Sequence, residues 1–421
     1  MNSIIAEKLI AMEFDKKIGT LTESQSSFIK GRKEQAMRHL MYKIHGYDKI
    51  EIDNTELEER YNLRNRVYEL VYINIPIKDQ GYFMDIDTSD LTETILQLGL
   101  NVKKFYKTLS YNDDMLPEIK KELFLNTPVL HNSYGPFLSS ESSALFFQIK
   151  GWEARVMITE KEKLDIWTST LNEYKDQESL RHYSEYISIL MKGKKIELNA
   201  EVFLPFAAKV SDVYNIKKTK RDSAFNQAIW DGQKNISYET LLFDSELGSA
   251  VLLEHDGKKW IIDEIMDLIR SHPLVFRNKN IPTGNFEQEL KLAVADLIRD
   301  WHITQKAYQL GYDRHQTVIQ NQLKWEDYVK SKVMEFEMRN ADHDSHNTLL
   351  PSERMMKTVD SLQIEYSSRI KINTDMFEEI ELTQIDMFTI LTNDAYPIIE
   401  PGFPILTKNH RLDYGSQIKL P

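Results

Sequence analysis

The chain has 421 residues, of which 41% are hydrophobic and 28% are charged, and its formal net charge is −12. These values are ordinary for a globular protein with two or three cored domains. The acidic balance argues against a nucleic-acid partner, because proteins that bind nucleic acid usually carry a basic face. The sequence contains no cysteine, which excludes disulfides, a thiol nucleophile and a cysteine metal site.

The first residues, MNSIIAEKLIAMEFDKK, have the pattern of an amphipathic helix and not that of a secretory signal peptide. No apolar run approaches the roughly 18 residues of a membrane span, so we expect contact with a membrane to be peripheral at most. The lack of cysteine fits an oxidising compartment, where stray thiols are hazardous. The chain is therefore either cytoplasmic or exported, with its signal peptide missing from this sequence.

Residues 1–63 predict a helical segment. Gly19 ends the first helix, as a C-terminal glycine commonly does, and Thr22 opens a second, long helix that runs to about Ile44. Asp53, Asn54 and Thr55 offer N-caps for a third helix.

At Val67 the pattern changes to that of a strand, because VYELVYINIP is rich in β-branched and aromatic residues and stops at Pro76. The elements predicted next are helices over 89–110 and 116–125, and one or two strands within 143–158. Gly151 marks an expected bend or bulge. We therefore expect an α/β unit over 64–158, with Val67–Ile75 and Leu145–Gly151 as neighbouring strands.

Residues 159–375 predict a second helical domain. A β-hairpin near 249–262 interrupts it, with Asp256 and Gly257 forming a strong turn pair. A helix that ends at Gly311 and is followed by another long helix repeats the layout around Gly19. Residues 376–421 predict an irregular tail. The expected fold class is α+β and mostly helical.

Several stretches together resemble the SurA-like and PrsA-like parvulin family, the foldases of the bacterial envelope. These stretches are the N-terminal helical hairpin, the strand VYELVYINIP, the helix TETILQLGLNVKKFYKTLS and the closing stretch LPEIKKELFLNTPVLHNSYGPFLSSESSALFFQIKGWEA. The resemblance implies a helical chaperone-like body built from the N- and C-terminal segments, with a parvulin-like α/β domain inserted. It also implies a periplasmic protein that works without ATP or cofactors.

The sequence departs from that family at the place where its chemistry lies. Active members carry one histidine in the first strand of the domain and one in the last, facing each other across a proline pocket. Here the matching positions are Leu70 or Val71, and Phe147. We therefore expect a degenerate domain with no catalytic residues and little or no isomerase activity.

Three functions remain open at this point. The first is a chaperone for unfolded or partly folded envelope proteins. The second is a dedicated, non-catalytic scaffold subunit of an envelope or secretion complex. The third is an active peptidyl-prolyl cis-trans isomerase whose pocket uses other residues.

Apolar residues on the first and last strands could line a groove for unfolded peptides. These candidate peptide-binding residues are Leu70, Tyr72, Phe146, Phe147 and Trp152. The alternative is that alternate strand positions fill the core of a small sheet, since strand aromatics pack by default.

Two polar groups have the residue types of a metal site. Asp342, His343, Asp344 and His346 lie close together in a segment that also fits a solvated loop. Asp244 with Asp256-Gly257-Lys258 loosely matches the pattern of metal-dependent nucleases, although a hairpin turn already explains the second part. We predict no metal site from either group.

A third group contains His272, Arg277, Arg299, Asp300 and His302, all within two short stretches of the C-terminal half. A functional charge cluster is one interpretation. Ion pairs along a helix surface together with a satisfied histidine are the other, and we favour them.

Overall fold

The computed structural model describes residues 2–76, 90–97, 99, 101–140, 143–155, 159–214, 245–272, 283–340, 351–373, 396, 400–402, 406–407 and 414–418. In chain order the helices are α1 (Asn2–Lys17), α2 (Glu23–His45), α3 (Asn54–Arg64), α4 (Leu91–Gln97), α5 (Pro117–Phe124), α6 (Glu160–Leu190), α7 (Ala200–Tyr214), α8 (Ser245–Gly248), α9 (Ile262–Ser271), α10 (Phe286–Gln309), α11 (Gln316–Asn340) and α12 (Pro351–Glu365). The strands are β1 (Arg66–Pro76), β2 (Tyr106–Leu109), β3 (Ser133–Ser140), β4 (Ser143–Ala154), β5 (Ile196–Leu198), β6 (Val251–His255), β7 (Lys258–Ile261), β8 (Lys371–Ile372) and β9 (Ser416–Gln417). The protein is α+β and mostly helical, as predicted.

The chain divides into two compact units. Lys49–His182 forms the first, which we call the sheet unit. Met1–Asp48 and Tyr183–Pro421 together form the second, which we call the helical unit. The sheet unit contains the predicted α/β segment 64–158 and also takes in α3 and the part of α6 up to His182.

The sheet unit is built on a four-stranded antiparallel sheet in the order β2-β1-β4-β3. Because β1 and β4 are the central pair, the expected neighbouring strands are confirmed. In their register Tyr68 lies opposite Trp152 and Tyr72 opposite Phe147. The register shifts between Glu69 and Leu70, which places a bulge beside Gly151, the position where the sequence predicted one.

The long helix predicted over 89–110 is wrong. The chain forms the short helix α4, passes Gly99 with φ +71°, makes one 3₁₀ turn over Val102–Phe105 and then enters β2. Glycine adopts positive φ without a Cβ clash, so it ends the helix there. Phe105, Tyr106 and Thr108 favour strand, and pairing of β2 with β1 supplies the hydrogen bonds that a helix would have made.

Each face of this sheet is covered by one short helix. The face that carries Tyr68, Leu70 and Phe147 packs with Leu123 and Phe124 of α5. The opposite face carries Val71, Ile73 and Phe146, and packs with Leu91 and Ile95 of α4. Alternation along the strands thus fills two apolar layers, one on each side of the sheet.

The helical unit contains the two helix pairs that the sequence predicted at glycine turns. Gly19, with φ +79°, lies between α1 and α2, and Gly311, with φ +74°, lies between α10 and α11. A reciprocal pair of hydrogen bonds between Thr22 and Gln25 caps the start of α2. Such a capping box satisfies two backbone donors that would otherwise lack partners at the helix start.

A three-stranded sheet in the order β5-β6-β7 also belongs to the helical unit. Asp256 and Gly257 join β6 to β7 with φ of +49° and +75°, the backbone of a tight hairpin turn, as predicted. The strand β5 was not expected. Trp260, Phe206 and Leu290 are among the side chains that close the core between this sheet, α7 and α10.

Helix α2 approaches the end of α9 unusually closely. A Cβ added at Gly31 would lie 2.1 Å from the backbone oxygen of Ser271, so only glycine fits this crossing. Most of the predicted tail 376–421 lies outside the described residues. Of its described part, Tyr396 is buried in the helical unit and β9 pairs in parallel with β8.

Candidate functional site

Phe147 lies at the centre of an aromatic stack in the sheet unit. The rings of Tyr134 and Phe137, both on β3, are stacked on it with centroid separations of 5.1 and 5.6 Å. Its side chain is 1% exposed. One of the two positions where the sequence resemblance places an active-site histidine is therefore occupied by a fully packed phenylalanine.

Four of the five candidate peptide-binding residues share this aromatic face of the sheet. Leu70 and Phe147 are buried in it, Tyr72 is half-buried opposite Phe147, and Trp152 pairs with Tyr68 at a ring separation of 6.0 Å. Phe146 lies in the apolar layer on the opposite face. The structure therefore brings four of these residues together on one face, separates the fifth from them, and leaves only Tyr72 and Trp152 partly accessible.

The aromatic face is built around a hydrophobic cluster. The residues of this cluster are leucine, isoleucine, tyrosine and phenylalanine, with methionine at its margin. Charged groups reach it at Tyr111, which contacts Lys120, Arg64 and Glu173. Burial raises the pKa of Tyr68, against the opposing effect of Arg66. The two expected histidine positions on this face, Leu70 and Phe147, are hydrocarbon side chains that can bind apolar groups and carry no proton to transfer.

Beside this face, α3 and α6 enclose a small polar pocket of the sheet unit. The guanidinium of Arg64 lies 3.8 Å from the ring centroid of Tyr111 and 3.0 Å from a carboxylate oxygen of Glu173. The hydroxyl of Tyr111 donates to Glu173, and burial raises the pKa of that hydroxyl. Because these charges satisfy one another, the pocket is explained as a structural contact.

A histidine pair lies in the helical unit, where the turn between β6 and β7 meets α10. The Nε2 atoms of His255 and His302 are 2.5 Å apart. Oδ2 of Asp256 lies 3.8 Å from the first of these atoms and 4.0 Å from the second. These three side chains form the one group of three or more possible metal ligands found among the described residues.

Neighbouring groups determine which ring nitrogens of the histidine pair carry protons. Nδ1 of His255 lies 2.7 Å from the backbone oxygen of Lys195 and must donate to it, since a carbonyl only accepts. Burial, and then the charge of Lys194, lower the pKa of His302 to about 4. The pKa of Asp256 is also lowered, mainly by its 2.5 Å hydrogen bond from Lys194. At neutral pH the site therefore holds an uncharged imidazole on α10 beside an ionised carboxylate.

A second buried polar group joins α2 to α9 and α10 within the helical unit. Nε2 of His272 lies 2.8 Å from a carboxylate oxygen of Glu34, while its Nδ1 lies 3.0 Å from a guanidinium nitrogen of Arg38. Arg38 also donates to Thr304, and Tyr308 donates to Glu34. Burial lowers the pKa of His272, so the neutral ring donates through Nε2 and accepts through Nδ1.

Six of the polar residues singled out in the sequence lie outside the described residues. They are Asp342, His343, Asp344, His346, Asp244 and Arg277.

Arg299 forms ion pairs at 2.9 Å with Asp296 and 2.8 Å with Asp300 along α10, as the favoured interpretation expected. His272 and His302 belong to two different polar groups of the helical unit. Asp256 lies beside His255 and His302. Among the described residues it is not grouped with a second carboxylate, as the nuclease-like pattern would require.

Sequence reasoning missed the pairing of His255 with His302. The two residues are 47 positions apart, one at the end of a strand and the other within a helix, so no short motif connects them. Asp256 was noticed as a turn residue and as part of a loose nuclease-like pattern, and neither interpretation linked it to His255 or His302. The one available hint was the presence of a histidine directly before an Asp-Gly turn.

Comparisons of the chain with models of known protein families, with curated proteins and with solved structures find no match. A search of the described helices for a segment long and apolar enough to span a membrane also finds none. The class that the structure itself defines is an α+β, mostly helical protein with two compact units.

Proposed function

We propose that this chain is a non-catalytic, chaperone-like protein of the parvulin type, which binds unfolded or partly folded envelope proteins in the periplasm. The main observation in support of the proposal is that apolar residues stand where an active parvulin is expected to have histidine. Leu70 and Phe147 are buried on the aromatic face, and Val71, the other candidate position, is buried on the opposite face.

The loss of isomerase chemistry follows from what that reaction needs. The barrier to rotation about a peptide bond is roughly 18–20 kcal/mol. A protein lowers it only if its groups bind the twisted amide better than the planar one. The expected histidine positions on the aromatic face are filled by Leu70 and Phe147, whose side chains have no hydrogen-bonding group. These side chains can pack against a proline ring, but they make no polar contact that would bind the twisted amide better than the planar one.

The surface that would bind unfolded chains lies at the edge of the same sheet. β3 is an edge strand, and its Leu138 is 71% exposed, while Val129 and Leu130 just before it are 61% and 44% exposed. An extended peptide can add to such an edge through backbone hydrogen bonds and place its side chains on exposed apolar neighbours. An exposed edge of this kind otherwise favours aggregation.

The test measures how far the purified chain suppresses aggregation of two unrelated proteins diluted from denaturant. We expect suppression of both, and a several-fold loss in the Leu138→Asp variant. Leu164→Asp is the matched control, since Leu164 is 63% exposed on α6 of the same unit, and it should behave like the unmodified chain. Equal loss in both variants would show that β3 has no special role.

A second assay follows cis-trans exchange in a proline peptide. We expect exchange at the uncatalysed rate, which is tens to hundreds of seconds at 25 °C. A large acceleration would overturn the non-catalytic assignment. Failure to protect either aggregating protein would instead favour the dedicated scaffold, which should bind one partner tightly and remain inert towards others.

A further inference from the structure

We propose that His255, Asp256 and His302 bind one divalent transition-metal ion of the zinc class in the helical unit. This site is independent of the proposed function, because all three residues lie outside the sheet unit. The argument rests on ligand type, on the distances between ligand atoms and on the hydrogen bond that orients His255.

The ligand atoms have the spacing of a metal site. Three atoms separated by 2.5, 3.8 and 4.0 Å are equidistant from a point about 2.1 Å from each of them, within the range of zinc–nitrogen and zinc–oxygen bonds. Two imidazoles and a carboxylate suit zinc, cobalt or nickel better than magnesium or calcium, which prefer oxygen ligands.

The second observation is the orientation of His255. Its Nδ1–H is fixed on the backbone oxygen of Lys195, so its Nε2 lone pair points at the site. Metal-binding histidines characteristically use their other ring nitrogen in this way, to a carbonyl or a carboxylate, and this contact sets the tautomer and the basicity of the ligand. The His255 side chain is 2% exposed, so packing also holds the ring in place.

Binding requires several small changes. Because Nδ1 of His255 carries that ring's proton, Nε2 of His302 donates the hydrogen bond between the two histidines, and its proton must move to Nδ1 before the atom can bind a metal. Oδ2 of Asp256 must also move closer to both nitrogens, from which it now lies 3.8 and 4.0 Å away. Ligands at tetrahedral zinc lie roughly 3.3 Å apart for bonds of 2.0–2.1 Å, so the two imidazoles must separate by somewhat less than 1 Å. Lys194, which lies 2.5 Å from Asp256, must also release the carboxylate. Because Lys194 and Asp256 are 24% and 45% exposed, the lysine can turn into solvent. Lys194 therefore acts as a built-in competitor of the metal ion.

The bound ion would fasten the β6–β7 turn to α10. Without metal, these two elements are joined here by one hydrogen bond between histidines. An ion that binds the folded chain and not the unfolded chain stabilises the folded state in proportion to the logarithm of its concentration over Kd. We expect zinc to raise the thermal midpoint of the unmodified chain.

The experiment titrates the full chain, freed of metal by chelator and dialysis, with zinc chloride by calorimetry and with cobalt chloride by visible absorption. We expect one zinc per chain and the intense visible bands of tetrahedral cobalt. His302→Ala should abolish both. Asp256→Asn, a change in an exposed turn, should weaken zinc at least about 10-fold, the lower end of what outer-shell partners alone contribute. Lys194→Met should tighten it.

Two controls separate this site from other histidines of the chain. His315→Ala removes an exposed histidine of the helical unit, and His343→Ala/His346→Ala removes the histidines of the sequence cluster considered above. Both should leave zinc binding unchanged. Zinc binding that survives His302→Ala, zinc affinity that Asp256→Asn leaves unchanged, or a chain that binds no zinc at millimolar concentration would overturn the proposal and leave an ordinary histidine hydrogen bond.

Discussion

The cores of the two units contain different kinds of side chain. In the sheet unit, rings pack against rings: Tyr68 and Tyr111 each meet Phe124 edge to face at 5.3 Å, on the same face as the Phe147 stack. In the helical unit, charged side chains are buried among the helices, and Glu34 and Arg38 are only 6% and 5% exposed. Apolar packing tolerates substitutions of similar volume, whereas a buried charge requires its particular partner.

The two units also differ in where buried histidine lies. The sequence resemblance directed attention to the sheet unit, yet the expected histidine positions there are filled by Leu70 or Val71 and by Phe147. The buried histidines His302 and His272, each with a lowered pKa, lie in the helical unit. The polar group that the sheet unit encloses, Arg64 with Tyr111 and Glu173, contains no histidine. The two units therefore differ in the kind of polar group that they enclose.

The sharpest test of the aromatic core is Phe147→Ala. Removing a buried phenylalanine typically costs about 3–5 kcal/mol of stability, because apolar contacts are lost and a cavity remains. We expect about 4 kcal/mol in guanidinium unfolding followed by circular dichroism. Leu138→Ala, at an exposed position of the neighbouring strand, should change stability by less than about 0.5 kcal/mol. Similar costs for the two variants would break the picture of a packed stack.

Glu34→Ala tests the buried polar group of the helical unit. It leaves two buried donors, Nε2–H of His272 and the hydroxyl of Tyr308, without their acceptor, and an unsatisfied buried donor costs about 1–3 kcal/mol. A double-mutant cycle with Glu34→Gln and His272→Gln, measured by urea unfolding, should give a coupling energy of at least about 1 kcal/mol. Strict additivity of the two changes would mean that the contact contributes nothing specific.

Glu7 on α1 provides a smaller, pH-dependent test. Burial, followed by the nearby charge of Asp327, raises the pKa of Glu7 from 4.5 to about 7. The protonated carboxyl is thus favoured in the folded state. Its contribution to stability is complete below pH 4.5, falls as the pH rises through 7, and is then lost.

Glu7→Gln mimics the protonated form at every pH. The variant should match the unmodified chain near pH 4 and exceed its stability at pH 8 by about 1–2 kcal/mol, with urea unfolding at both pH values as the measurement. Glu337→Gln, an exposed change on α11, is the control and should show no such difference. A gain for Glu7→Gln that is equal at both pH values would point to packing in place of ionisation.

Local pattern was enough to predict many elements. The Val67 strand, the Asp256-Gly257 turn, the Gly19 and Gly311 helix ends and the bulge beside Gly151 all depend on residues within a few positions of one another. The helix predicted over 89–110 failed because its second half is paired as β2 with β1, and a partner strand is not visible in a local pattern.

The sequence by itself determined the α+β class, the strand period that fills both faces of the larger sheet, and the absence of histidine from the expected strand positions. Only the tertiary structure decided which side chains meet. It separated Phe146 from Phe147, joined Glu34 to His272 across 238 positions, and brought His255 within 2.5 Å of His302. The physical reason is that chain periodicity fixes the face on which a residue lies, while long-range packing fixes what that face contacts.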